Sequence, residues 1–371
     1  MKGTLLSKLI RLSVGEPDFP TPAHIKEAGC RAIAEGFTRY TPQPGFDDLR
    51  EAIARKLRQE NGIDVPASQV VVSCGGKHSL YNAIQCAIGS GDEVIVPQPY
   101  WSTTADQVAR ACGKPVLVPT HEANGFLPAI DDIERALTRR TRAMIFNSPC
   151  NPTGSVYPRE LLEEIAALAV ERDLLVISDE VYEKLLFDGA EHVSIASLNP
   201  QIAARTVTVN SVSKTHAMTG WRIGYAAMPP ELAQKVITLQ SVSTSGPCAI
   251  AQRAALAAIS GDQSHVREMV VAYAKRRQYL MERVRRIPAL GLTMPRGTFY
   301  LFVNVSVLVG RTVSGQTIKD ANGVVEVALR EANVQLLSGA AFGAPQHIRF
   351  SFAVSMEEMS EGMDRLEKLL A

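Results

Sequence analysis

Several features are scarce or missing in this chain. Charge of one sign is missing: 39 basic against 38 acidic residues leave a net charge of +1. That balance lacks the field a nucleic-acid or anionic-membrane partner requires and leaves small molecules as the expected ligands. Cysteine is sparse and dispersed. Cys30, Cys74, Cys86, Cys112, Cys150 and Cys248 include no CxxC, and the seven histidines form no HxxxH pair. A disulfide framework and a compact zinc site are therefore excluded as organising features, no metal is expected, and reduced thiols point to the cytoplasm. No apolar run approaches the roughly 18 to 20 residues of a membrane span. The opening MKGTLLSKLIRLSVGEPDF has no long apolar core and no small-residue cleavage site, so no signal peptide is expected.

What is present is ample core for 371 residues, a length that suits about two domains. Between residues 70 and 210, short apolar runs alternate with helical stretches: VVVS (70–73), EVIVP (93–97), PVLVP (115–119), AMIFN (143–147), LLVIS (174–178) and TVTVN (206–210). Near-continuous β-branched runs of this kind are strands buried on both faces, and the intervening helices make the sheet parallel or mostly parallel. Leu161, Ile165 and Leu168 share one helical face, and Leu49, Ile53 and Leu57 share another in a helix that stops at Gly62. The pattern changes after a basic helical run around 275–286. Strand-like TFYLFVNV (298–305), VQLLS (334–338) and HIRFSFAV (347–354) follow, which predicts a smaller α+β domain from residues 275–371 together with 1–34, beside a large domain over 35–274.

Ligands of open α/β sheets bind beyond the carboxyl ends of the strands, and the unusual polar residues of this chain gather there. VVVS leads into Gly75, Gly76 and Lys77 at a helix start, where freed backbone amides can cradle a phosphate. This turn fits neither GxxxxGK nor GxGxxG, and by itself a GGK is an ordinary turn. EVIVP leads to Trp101, one of two tryptophans, suited to stacking on a flat heteroaromatic ring although a core role is the default. AMIFN leads to Asn151 in a proline-rich turn, and LLVIS to Asp179 and Tyr182. A carboxylate at the end of a buried strand is costly unless it caps a helix or meets a cation. TVTVN leads into SVSKTHAMTGWRIG (211–224). There Lys214 sits among Ser211, Ser213 and Arg222, an amine beside two hydroxyls and a planar guanidinium that suit a phosphate. Taken alone Lys214 reads as a solvated lysine; five such strand ends together do not read as chance.

The run around Lys214, together with VGEPDF (14–19), YTPQPGFDDLREAIA (40–54), FNSPCNPTG, SDEVY, AFGAP (341–345) and IRFSFA (348–353), resembles the class I and II aminotransferases that use pyridoxal 5'-phosphate (PLP). Among these it is most similar to the aspartate aminotransferase family in its bacterial branch, over Leu12 to the C-terminus. The resemblance implies the PLP fold type I: a mostly parallel, seven-stranded-type sheet sandwiched by helices, with a smaller α+β domain. It implies that Lys214 forms a Schiff base with the cofactor and shuttles the proton, Asp179 holds the pyridine nitrogen, and Tyr182 and Asn151 meet the phenolic oxygen. Gly75, Gly76, Lys77, Ser211, Ser213 and Arg222 would bind the phosphate side, with Trp101 on the ring. Tyr40 would reach the phosphate of the neighbouring subunit, so that a homodimer shares its sites. Gly15, Lys77, Trp101, Asn151 and Arg349 would meet the substrate, Arg349 taking the α-carboxylate of an L-amino acid and Lys77 the distal carboxylate of aspartate or glutamate; aromatic amino acids and a 2-oxo acid acceptor also fit.

The chain departs from that pattern in places. The family's N-terminal arm is almost absent before Leu12, Thr103 to Asp106 replace a usual SYP, His216 replaces a frequent aromatic, and Cys150 replaces a serine. These changes keep open a lyase, cyclase or oxidase on the same scaffold. A non-catalytic PLP sensor ranks last, because the full reactive set is retained and no basic DNA-binding segment accompanies it.

Overall fold

A computed structural model describes residues 8–370. The expected lack of a leader, and residues 1–7 and 371 of the predicted small domain, lie outside the described residues. The central element is a seven-stranded sheet: β1 (Val70–Ser73), β2 (Glu93–Gln98), β3 (Lys114–Pro119), β4 (Thr141–Asn147), β5 (Leu175–Asp179), β6 (Thr206–Ser211) and β7 (Gly224–Ala227), in the spatial order β1-β7-β6-β5-β4-β2-β3. Six strands are those read from the apolar runs, with ends moved by no more than two residues. The seventh, GYAA, has no β-branched residue and was not legible as a strand. It is antiparallel to both neighbours, β1 and β6, while the other pairings are parallel.

That one reversal positions the site. The parallel strands are joined by helical crossovers that return the chain to the opposite edge. Between β6 and β7 the chain makes only the short Val212–Thr215 helix and a 3-10 turn, Thr219–Trp221, before going back. Lys214 and Arg222 are therefore held at the carboxyl end of the sheet. Both faces of the sheet are covered, as the apolar runs required. Val71 packs with Leu80, Ile84, Val207 and Val236 on one side, whereas Val70 and Val72 pack with Ile53, Leu57 and Ala254 on the other. Helix Asp47–Asn61 buries Leu49, Ile53 and Leu57 and ends at Gly62 with φ +68°, a left-handed stop that glycine supplies without strain. In helix Arg159–Glu171 the buried stripe runs through Leu162, Ile165 and Leu168, and Leu161 is only partly covered.

A smaller sheet, antiparallel in its main pairings, contains Tyr300–Asn304 and His347–Ser351 and shares a core with Tyr273, Leu280, Met363, Ile10 and Leu12. Residue 275 lies inside a single helix, Ser264–Arg285, so the change of character there falls within a continuous element. Helix Ala23–Ala34 packs Ile25 against Ala251, Ala254 and Ala255, on the large-sheet side, because its apolar face matches the alanine stripe of helix Ala249–Ser260.

Candidate active site

At the carboxyl ends of the strands lies a cavity of about 570 Å³, lined by Gly15, Gly76, Lys77, Trp101, Asn151, Asp179, Tyr182, Ser211, Ser213, Lys214, Arg222 and Arg349. Chain segments more than 300 residues apart thus meet: Arg349 donates through Nη2 to the Ser13 carbonyl at 3.0 Å. Two of the sequence candidates do not line the cavity. Gly75 stands just behind it as the cap of helix Gly76–Ala87, with φ +93°. Tyr40 is 94% exposed.

One wall is an anion cradle. Helix Gly76–Ala87 begins here; its first bonds run from the His78 and Ser79 amides to the Gly75 carbonyl, at 2.9 and 3.1 Å, which leaves the Gly76 and Lys77 amides ahead of the helical ladder. Gly224 sits opposite both Ser73 and Ser211 in the sheet register. A Cβ there would stand 2.1 Å from the Gly76 nitrogen, so close approach of backbone to backbone requires that glycine, whereas Gly75 is required by its φ of +93°. Arg222, itself left-handed at φ +57°, is anchored through Nη1 to the Thr219 carbonyl at 2.8 Å and Nη2 to the Cys74 carbonyl at 3.3 Å. Ser211 Oγ accepts from the Ser213 amide at 3.3 Å, capping the short helix that carries Lys214.

The floor holds the titratable groups. Asp179 is buried, and its only side-chain hydrogen bond among the described residues comes from the Val181 amide at 3.3 Å. Burial pushes its carboxyl up to about 7, with the Glu180 charge adding to the rise and the Val181 bond and Lys214 opposing it. Burial pushes the Lys214 amine down to about 8; Arg349 and Arg222 act in the same direction, while Glu16 and Asp179 oppose them. Its Nζ donates to the Gly15 carbonyl at 2.5 Å. The opposite wall is an arginine clamp. Arg349 is buried, donates through Nη1 to Asn151 Oδ1 at 2.7 Å, and stacks 4.1 Å from the Tyr300 ring. Its Nε is buried without a protein partner among the described residues. At the mouth Lys77 Nζ lies 4.8 Å from the centre of the Trp101 ring and makes no ion pair among the described residues.

A cradle of amides, hydroxyls and a guanidinium, a low-pKa amine, a buried carboxyl awaiting a cation and an arginine with an unused donor form one coherent set. The whole chain matches accordingly. The description "Aminotransferase class I and II" covers residues 7–366. The chain belongs to that aminotransferase family. It transfers amino groups, and its relatives match at nearly full length. The aspartate aminotransferase of Geobacillus stearothermophilus is 41% identical over 98% of this chain and 91% of the relative. The aspartate/prephenate aminotransferase of Nitrosomonas europaea is 41% identical over 98% and 92%. Among solved structures, the aspartate aminotransferase of Thermus thermophilus with maleate superposes with a TM-score of 0.92 at 41% identity, over 98% of this chain and 92% of that one. The aromatic aminotransferase of Pyrococcus horikoshii gives 0.92 at 39%, over 99% and 96%.

This aminotransferase also has cavity residues that sequence reasoning missed. Asn147 anchors the Asn151 turn: its Nδ2 donates to the Asp179 carbonyl at 2.8 Å and its Oδ1 accepts from the Asn151 amide at 2.7 Å. Its place as the last residue of a buried strand was the available signal. Tyr300 bonds Tyr182, OH to OH, at 3.0 Å, and Glu16 accepts from Thr219 Oγ1 at 2.8 Å. Neither signalled itself, since one lies inside an apolar run and the other in a loop. Three of the departures from the family pattern stand outside the cavity lining: Thr103 to Asp106 lie beyond Ser102, Cys150 is buried beside the Pro99 carbonyl, and His216 is turned to His265.

Proposed function

We propose that the chain is a PLP-dependent aminotransferase acting on a dicarboxylic L-amino acid, aspartate or glutamate, with a 2-oxo acid as acceptor, and working as a cytoplasmic homodimer. One observation carries the reading: the Lys214 amine, the Asp179 carboxyl, the anion cradle and Arg349 converge on a single cavity. When bound, the cofactor supplies an aldehyde that condenses with amines and a protonated ring that accepts the electron pair left at the substrate Cα. The amides of Gly76 and Lys77, the hydroxyls of Ser211 and Ser213 and the Arg222 guanidinium hold its phosphate. Asp179 holds the proton on the ring nitrogen, the cation that its raised pKa calls for. Tyr182 and Asn151 hydrogen-bond the ring oxygen, and Trp101 covers the ring.

Arg349 binds the substrate α-carboxylate, which orients Cα–H toward Lys214. Lys214, neutral in an appreciable fraction at physiological pH because burial lowers its pKa to about 8, takes the Cα proton and returns it as the amino group is transferred. Gly15 leaves room at the substrate: a Cβ there would come within 3.3 Å of the Tyr300 hydroxyl. Lys77, exposed at the mouth without an acidic partner, supplies the cation for a distal carboxylate. The structural division behind this site is a large unit over 35–274, joined by helix Ala23–Ala34, and a small unit built from the remaining N-terminal residues and 275–371.

The test uses the purified protein with single amino acids. Stoichiometric formation of a 2-oxo acid and pyridoxamine phosphate is the expected outcome, with Lys77→Met lowering kcat/KM for aspartate by about 1.5 to 3 kcal/mol and sparing neutral donors. Ammonia release, or equal losses for acidic and neutral donors, would overturn the reaction or the substrate class respectively.

A further inference from the structure

Directly behind Asp179, on the side away from the cavity, is a buried group of charges that the reaction does not touch. Asp179, the last residue of β5, lines the cavity, while Ser178 before it and Glu180 just past the strand are buried, bonded to each other and outside the lining. Glu180 is fully buried. Its carboxylate accepts from Ser178 Oγ at 2.9 Å, Ser194 Oγ at 2.6 Å and His192 Nε2 at 2.9 Å. Glu183, one residue past Tyr182, is also buried and accepts from Asn61 Nδ2 at 2.7 Å and from Lys56 Nζ. Asn61 Nδ2 lies 2.9 Å from Ser194 Oγ, which ties the two carboxylates into one network. Both are already engaged by lysine, amide and hydroxyl donors, so the group is an internal charge network and not a cation site.

The charges of this network decide its role. Glu180, Glu183 and Glu60, which Lys56 also reaches at 3.7 Å, contribute three negative charges, and Lys56 and Lys184, the latter 2.9 Å from Glu60, two positive ones; the sum vanishes only when His192 carries the third. With His192 neutral, one uncompensated anion would remain buried beside Asp179, where a like charge disfavours ionisation.

We propose that His192 is a positioning residue for Asp179: its imidazolium balances Glu180 and thereby holds Asp179 ionised at the cavity floor. The groups facing His192 are Glu180 and Ser194 at hydrogen-bond range, with Glu183 and Lys56 beyond them. The two carboxylates raise its pKa against the burial that lowers it, the net direction being up. The imidazolium is therefore favoured over that of an ordinary histidine, on the side of Asp179 away from the cavity. The inference rests on the reading of Asp179 as the partner of the ring nitrogen.

The test is the equilibrium dissociation constant of PLP from the holoenzyme across roughly pH 5 to 9, with thermal melts to confirm folding. In the wild type the affinity weakens as pH falls through the Asp179 midpoint. His192→Gln keeps a donor and removes the charge, so the break moves to higher pH and affinity below it drops about tenfold. Glu180→Gln alone moves the break to lower pH, which keeps the test available if the histidine variant does not fold. The double variant returns the break to the wild-type position, because neither charge remains. An unmoved break in His192→Gln, or a double variant as weak as the single one, overturns the proposal and leaves His192 a structural residue. If Asp179→Asn retains the break, the reading of Asp179 itself fails, and the proposal with it.

Discussion

At the scale of single residues, the site works by setting two pKa values against each other. Burial lowers a lysine from 10.5 to about 8 and raises an aspartate from 3.8 to about 7, which leaves an amine able to take a proton and an acid in need of a cation. In the protein without its cofactor, acylation of Lys214 is expected to rise through a midpoint near pH 8, followed by peptide mapping; a midpoint near that of free lysine would contradict its desolvation. The linkage follows from the same shift. The unfolded chain binds more protons at Lys214 between about 8 and 10.5, so this group's contribution to stability rises with pH across that window. Lys214→Ala is expected to lose roughly two to four orders of magnitude in turnover or more, since nucleophile and proton carrier vanish together. Borohydride reduction should mark Lys214 and no other lysine. At the clamp, Arg349→Lys keeps the charge and loses the planar fork and the Tyr300 stack. It should lower kcat/KM by about 1.5 to 3 kcal/mol, mainly through KM.

At the scale of elements, the decisive contact is between β7 and the start of helix Gly76–Ala87. β7 runs antiparallel between β1 and β6, and at Gly224 its backbone touches the helix terminus that forms the anion cradle. Gly224→Ala should force strand and helix apart, costing about 1 to 3 kcal/mol in stability and weakening PLP binding by more than the loss in fold would account for. Calorimetry against a cofactor titration separates the two; intact PLP affinity in a destabilised variant would show that the cradle does not depend on this approach. β7 was illegible because its run is short, lacks β-branched residues and contains a glycine, all of which argue against a strand locally. Its place is set by the two buried strands on either side, whose free edges it satisfies.

At the scale of the whole molecule, Tyr40 is the outlier. It is 94% exposed and does not line its own cavity, and in the proposed homodimer it is the residue offered to the second subunit. Tyr40→Phe should weaken cofactor retention by about 1.5 to 3 kcal/mol. Mixed dimers of Tyr40→Phe and Lys214→Ala should contain one site with neither lesion and regain activity; no recovery after verified subunit exchange would place both residues in one site. Glu122 accepts from Thr293 Oγ1 at 3.0 Å and Asn304 Nδ2 at 2.6 Å, which ties the segment after β3 to the smaller sheet outside the cavity.

The sequence by itself determined the parallel strands, their helices and the chemistry at their ends. Apolar runs buried on both faces are a local signal, and polar residues directly after such runs must lie at the sheet's ligand edge. Lys214, Asp179, Asn151 and the Gly75-Gly76 turn were legible for that reason, and the resemblance to a known family extended the reading to Arg349, Gly15 and Tyr40. Only the tertiary structure decided the reversed strand β7, the placement of helix Ala23–Ala34 on the large sheet, and the partners that tune the site: Asn147 under Asn151, Tyr300 against Tyr182 and Arg349, and the His192–Glu180 pair behind Asp179. Each depends on residues far apart in the chain meeting across a buried surface, where desolvation sets protonation and close approach sets residue size, and neither quantity exists before the chain has folded.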